Sequence, residues 1–210
     1  MKNINPFVSN LISQGVLKTP RIIEAFEKID RADFVPLELK SEAYINEPLY
    51  IGEGQTISQP YTVAFMLELL QPKSGDKIFE VGFGSGWQTA LLAEIIGESG
   101  KVFAVERIPK LFRFGRKNIA KYNFIKKGIV KTIGSDASRG LPRHAPFDKI
   151  IAGASAQEIP EEWLKELKVG GRLVTPVKNS IWLYVKKSSQ EFEKQEFPGF
   201  VFVPLVSEEK

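Results

Sequence analysis

The stretch Phe79-Glu80-Val81-Gly82-Phe83-Gly84-Ser85-Gly86-Trp87 holds the residues whose spacing speaks most directly of chemistry. Glycines at every second position let a backbone turn tightly and approach a ligand closely, because no Cβ intervenes. Twenty residues beyond Gly86 stands Glu106, at the end of an apolar run where a carboxylate can accept hydrogen bonds from both hydroxyls of a ribose. The spacing is G-x-G-x-G rather than the G-x-G-x-x-G of dinucleotide sites, and an acid precedes it. Glu80 would repel a pyrophosphate but suits a ligand carrying an ammonium group, such as the methionine end of S-adenosylmethionine. The candidate cofactor residues are therefore Glu80, Gly82, Gly84, Gly86 and Glu106. Asp136, after the next apolar run, reads either as an acceptor for an adenine amino group or as a turn former.

A second candidate segment is Gly52-Glu53-Gly54-Gln55-Thr56-Ile57-Ser58-Gln59-Pro60-Tyr61. Thr56 and Ser58 are hydroxyl donors that can hold a carboxylate without competing as strong nucleophiles; on composition alone Ser58 reads first as a cap for a helix beginning near Pro60. A carboxylate acceptor suits such a site. With a reference pKa of about 4 it is ionised and nucleophilic at neutral pH, so alignment and exclusion of water are the protein's main contribution. The run Ile150-Ile151-Ala152-Gly153-Ala154-Ser155-Ala156 has no acid, Asn or aromatic to hold a base or an amine. It predicts a small neutral wall with backbone amides free to donate. With no cysteine and one histidine, His144, thiolate catalysis, disulfides and Cys- or multi-His metal sites are excluded.

These groups need a scaffold. Helical spacing covers Asn10–Val16 and Arg21–Ile29, the second opened by Thr19 and Pro20. Residues 31–59 read as irregular, and a helix runs from about Pro60 to Leu70. Short β-rich runs then alternate with helices: strands at Lys77–Val81, Val102–Glu106, Ile129–Ile133, Phe147–Ala152 and Arg172–Val177, helices at Trp87–Ile96, Lys110–Tyr122 and Glu161–Leu167. This is the pattern of a doubly wound α/β fold with a parallel sheet. Ile181–Lys187 and Phe200–Val206, joined without a helix, predict a terminal antiparallel hairpin. One domain over 1–210 is expected, with 1–59 as a helical and loop extension and 60–210 as the cofactor-binding core. Hydrophobic residues at 43% and charged residues at 26% fit a globular chain. No apolar run approaches the ~18 residues of a membrane span, and the first residues lack an export signal, so a cytoplasmic monomer is expected.

The formal charge of +4 is uneven: eight Lys/Arg and no acid lie between Lys110 and Lys131. That stripe reads as a nucleic-acid surface or as the solvated face of a helix. Absence of an accompanying aromatic or Gly-rich motif favours the second. Trp163 and Trp182 read as packing, Trp87 as packing or pocket wall, and His144 as a surface residue.

GEGQTISQPY closely resembles the substrate-side motif of protein-L-isoaspartate O-methyltransferases. Similar blocks follow in family order: EVGFGSGWQTALLAE, VFAVERIP, APFDKIIAGASAQEIP, LKVGGRLVTPV and FVFVPLV. The resemblance spans roughly residues 43–206. It implies a Rossmann-like seven-stranded S-adenosylmethionine-dependent methyltransferase fold. The implied activity is methyl-ester formation on the α-carboxylate of L-isoaspartyl residues in damaged proteins, with D-aspartyl open as a second acceptor. An RNA methyltransferase or a non-catalytic relative are the rival expectations. Ser58 matches the family's active-site serine, Thr56, Ile57, Gln59 and Pro60 its substrate loop, Gly82, Gly84 and Gly86 its cofactor loop, Glu106 its ribose acid and Asp136 its adenine-side acid. Phe83 stands where a small residue is common and would crowd the methionine end. Ile45 and Tyr50 replace an Asp and a Pro, and Lys178 replaces the Gly of a Pro-Val-Gly turn.

Overall fold

A strand covered on both faces has to be apolar along its length, and β3 (Lys77–Val81) has Ile78, Phe79 and Val81 fully buried. The exception is Glu80, equally buried in the middle of the same strand. In the computed structural model, which describes residues 5–205, β3 lies inside a seven-stranded sheet. The other strands are β4 (Lys101–Glu106), β5 (Val130–Gly134), β6 (Phe147–Ala152), β7 (Leu167–Val177), β8 (Ser180–Lys186) and β9 (Phe192–Pro198). Their order is β5-β4-β3-β6-β7-β8-β9. The first five are parallel, with Phe79 opposite both Phe103 and Ile150, and β8 and β9 are antiparallel. The chain runs outward from β3 through β4 to β5, then returns to the other side of β3 for β6. Carboxyl-end loops diverge at such a reversal and leave a crevice.

One face of the sheet is covered by α1 (Pro6–Ser13), α2 (Pro20–Lys28), α3 (Pro60–Leu70), α4 (Trp87–Ile96) and α5 (Pro109–Ala120), whose apolar residues form one cluster. α4 is apolar on almost every side and lies in the middle of this layer, where Trp87 meets Phe26 of α2 edge to face at 5.5 Å. Complete burial of a large apolar side chain contributes roughly 1.5–3 kcal/mol, so these contacts bind the N-terminal helices firmly to the core. The other face carries α6 (Glu161–Glu166) and two single 3₁₀ turns, Ala137–Arg139 and Pro142–His144. There Trp163, fully buried, donates its indole N–H to the Ala137 carbonyl at 2.9 Å.

Thr19 and Pro20 open α2 as expected. The Thr19 hydroxyl and amide donate to the Glu68 carboxylate of α3 at 2.6 and 2.7 Å, an anion placed where the helix N-terminus is electropositive. Two sequence expectations need correction. Within the supposedly irregular 31–59 lies a hairpin, β1 (Leu49–Gly52) and β2 (Gln55–Ile57), which pairs Tyr50 with Thr56; strands of four and three residues are too short to print an alternation. The terminal hairpin uses Phe192–Pro198, not Phe200–Val206. A two-sided edge strand tolerates the charges of FEKQEFP, and the apolar FVFVPL is required elsewhere. It bridges to Ser155 through Ser155 N to Val203 O and Leu205 N to Ser155 O, both 2.8 Å, while Val206 lies outside the described residues. Among the described residues no helix is long and apolar enough to cross a membrane.

Candidate active site

Three adjoining cavities occupy the crevice at the carboxyl ends of the strands. The first, of about 560 Å³, lies between Gly82 and Gly84 after β3, Glu106 at the end of β4, and Ser135 and Ala137 after β5, roofed by Val203, Pro204 and Leu205. The second, about 370 Å³, lies between Glu80, Trp87 and Gln88 on one side and Ile57 and Ser58 on the other. The third, about 830 Å³, is bounded by Pro48, Gln59, Thr62 and Gly199–Val203, and all three open to solvent. Thr56 and Gly153 border all three, and Ser58 borders the second and third. Glycine at 153 is a packing requirement, since a Cβ there would lie 2.8 Å from the Gly82 carbonyl oxygen.

The loop after β3 is closed by its own backbone. Gly82 N and Phe83 N donate to Val105 O at 2.9 and 3.2 Å, and Gly86 N to Phe83 O at 2.8 Å. Glu106 binds Gly84 N through Oε2 at 2.9 Å and Ile108 N through Oε1 at 2.8 Å. Each oxygen keeps a second lone pair, which leaves capacity for two ligand hydroxyls. Glu80 faces the second cavity. Its Oε1 accepts from Gln88 Nε2 at 3.2 Å, while among the described residues nothing bonds the buried Oε2. Burial pushes its carboxyl up to about 7; Thr89 and Gln88 oppose the shift and nearby Glu106 adds to it. An orphaned, buried acceptor facing a cavity fits a cationic ligand group.

The acceptor side is made differently. Gln59, not Ser58, is the residue preceding α3, and it makes no side-chain cap. Among the described residues nothing bonds the hydroxyl of Ser58 or Thr56, so both are free to donate toward the cavities. Gln59 instead fixes its surroundings, with Nε2 donating to Asn46 O at 2.9 Å and Oε1 accepting from Thr62 at 3.1 Å. Asn46 Oδ1 in turn accepts the Tyr61 amide at 2.9 Å. Ile57 is buried against the second cavity. Gly86 and Pro60 border none of the three cavities; each stands where a helix begins. Asp136 accepts from Ser138 N at 2.9 Å and faces the neighbouring groove with Lys131 and His144, while Ser135 and Ala137 on either side of it line the first cavity.

Most amides after β6 are already used, because Gly153, Ser155 and Ala156 give theirs to Val81, Val203 and Pro176. Phe83 borders the second cavity, and its ring packs on Phe112 of α5 at 5.7 Å and over Gly115, where a Cβ would lie 2.7 Å from Phe83 Cε2. The basic stripe is partly matched by exposed ion pairs, Lys110–Glu53 at 2.8 Å, Lys121–Asp33 at 3.5 Å and Lys127–Glu98 at 3.0 Å, and belongs to the solvated side of α5 and the turns after it. Missed by sequence reasoning were Gly153, Gln55, the roof at Val203–Leu205, and Arg31. Only the apolar character of FVFVPLV and the small run after β6 hinted at the first and third.

Fold and site together define a methyltransferase of the doubly wound, seven-stranded class. Residues 2–210 match the family model described as Protein-L-isoaspartate(D-aspartate) O-methyltransferase (PCMT), and the chain belongs to that family. Among its relatives, a protein-L-isoaspartate O-methyltransferase of Methanopyrus kandleri is 42% identical over 206 residues, covering 96% of this chain and 90% of the relative. One of Ignicoccus hospitalis is 40% identical, covering 96% of each. Among solved structures, a protein described as a protein-L-isoaspartate O-methyltransferase from Plasmodium falciparum, in complex with S-adenosyl-L-homocysteine, superposes with a TM-score of 0.86 at 26% identity. That match covers 98% of this chain and 99% of the other.

Proposed function

We propose that this enzyme uses S-adenosylmethionine to methylate the free α-carboxylate of L-isoaspartyl residues in damaged proteins, starting repair through an ester that closes to a succinimide. The observation that carries the reading is the meeting of three cavities at Thr56 and Gly153, with Ser58 between the second and third and no bond to either hydroxyl among the described residues. The cofactor supplies a sulfonium-activated methyl group when bound. Glu106 accepts the ribose hydroxyls, Glu80 takes the ammonium, and Gly82, Gly84 and Gly153 let the backbone lie close. Gly86 shapes the head of α4, and Asp136 holds the adenine-side turn. Ser58 and Thr56 donate to the acceptor carboxylate, which arrives through the third cavity. No residue needs to remove a proton from it, because it is already ionised at neutral pH. Ile57 shields the junction from water, and Gln59 and Pro60 hold the substrate loop at the head of α3.

The same reading treats 1–210 as one methyltransferase unit. Support comes from the cluster shared by Val8, Phe26 and Phe34 with α4. It also takes the protein as a cytoplasmic monomer, which sedimentation and cell fractionation check. The decisive experiment supplies radiolabelled cofactor with an isoaspartyl peptide and its aspartyl twin. Base-labile label is expected in the first alone; equal labelling of both, or alkali-stable label in RNA instead, refutes the reading.

A further inference from the structure

Arg31 is 1% exposed, and no carboxylate among the described residues pairs with it. Burial lowers its pKa to about 10, so it remains a cation at neutral pH. Its partners are main-chain oxygens. Nη1 donates to Ala43 O at 2.6 Å and reaches Ile45 O at 3.4 Å, and Nη2 donates to Glu47 O at 3.0 Å and Ser58 O at 3.1 Å. The guanidinium also sits 5.3 Å from the centroid of Trp87, the first residue of α4. A planar fork with several fixed donors is well suited to gather carbonyls from two separate segments in this way. One buried cation thus joins the 43–47 loop, the backbone of Ser58 and the head of the cofactor helix.

We infer that Arg31 is a positioning residue for the transfer proposed above, on which this assignment rests: it fixes Ser58 at the cavity junction and locks the acceptor wall to α4. Keeping such a charge buried without an acid is costly, and a purely structural tie between loops could use neutral side chains, as Gln59 and Asn46 do nearby. Acting through Ser58, Arg31 has its effect on turnover through the placement of one hydroxyl.

The test is a double-mutant cycle of Arg31→Lys and Ser58→Ala, read as kcat and KM with the isoaspartyl peptide, beside calorimetric binding of S-adenosylhomocysteine. Lysine keeps the charge but has no fork. Arg31→Lys alone is expected to lower kcat about tenfold or more, with cofactor-product affinity changed less than about threefold. In the Ser58→Ala background the same substitution is expected to change kcat less than about twofold. An equal loss in both backgrounds, or no loss in either, overturns the assignment. Should Arg31→Lys not fold, the wild-type protein still answers: its Arg31 Nε–H resonance is expected to move on adding the isoaspartyl peptide with S-adenosylhomocysteine and to stay put with the aspartyl twin. A resonance that ignores both peptides overturns the assignment too. A wild-type chain that labels neither peptide overturns the function itself and this assignment with it, whereas wild-type labelling with an additive cycle removes Arg31 alone.

Discussion

The cofactor wall and the acceptor wall face each other across the same junction, yet they are stabilised in opposite ways. The first rests on strand ends: the loop after β3 bonds to itself and to the end of neighbouring β4, through Gly86 N to Phe83 O and Gly84 N to Glu106. The second is assembled from loops outside the sheet, tied by side chains to main-chain oxygens: Arg31 bonds to Ser58 O and Gln59 to Asn46 O. A wall built from sheet ends inherits the rigidity of the sheet. A wall built from loops is only as well placed as the few polar groups that tie it down.

The comparison is broken most severely by deleting the hydroxyl at the junction. Ser58→Ala is expected to lower kcat for isoaspartyl peptide methylation by about 10²-fold, the usual cost of losing one well-placed donor, and to leave S-adenosylhomocysteine affinity nearly unchanged. Steady-state kinetics beside calorimetry separates the walls. A parallel loss of cofactor-product binding would mean that they are not independent.

That independence also explains what could be read in advance. Alternation of β-rich runs and helices gave the parallel strands, and the glycines with Glu106 marked one wall of the first cavity, because both follow from short runs of fixed spacing that end at neighbouring strands. Gly153 as a packing requirement and the role of Arg31 were not legible, because each is defined by a partner far along the chain, and the β1–β2 hairpin was not, because its strands are too short to print an alternation. FVFVPLV misled for a related reason. Its apolarity is real, but it serves to roof a cavity rather than to fill a sheet, whereas the polar Phe192–Pro198 forms the edge strand.

Glu80 sharpens the cofactor side with an intermediate effect. Its folded-state pKa is raised by burial to about 7, well above the ordinary carboxylate range, so the ligand-free protein holds a proton that the unfolded chain releases. Its stability therefore falls as pH rises through that window. A bound ammonium favours the carboxylate, so below pH 7 binding must expel the proton. Affinity for S-adenosylhomocysteine is expected to weaken as pH falls from 7.5 to 5.5, by up to about tenfold per unit, with proton release visible in calorimetry across buffers. Glu80→Gln is expected to flatten that profile and to stabilise the ligand-free protein at pH 8. A profile as steep as wild type would remove Glu80 from the ammonium site.

The smallest effect concerns the seam between the walls. Lys178 lies in the β7–β8 turn with φ of +54°, a left-handed conformation, which costs a side-chain-bearing residue about 1 kcal/mol relative to glycine. Its amide donates to Ala156 O at 3.2 Å and its carbonyl accepts from the Ser155 hydroxyl at 3.1 Å, so the strain is held against the segment that continues from Gly153. Because those bonds use only backbone atoms of residue 178, Lys178→Gly keeps both. The substitution is expected to raise stability by roughly 0.5–1 kcal/mol, partly offset by the greater freedom of glycine in the unfolded chain, with kcat unchanged. Denaturant unfolding measures the first and peptide methylation the second. If kcat moved together with stability, strain in this turn would have to reach Gly153, and the junction would depend on the sheet's far hairpin as much as on Arg31.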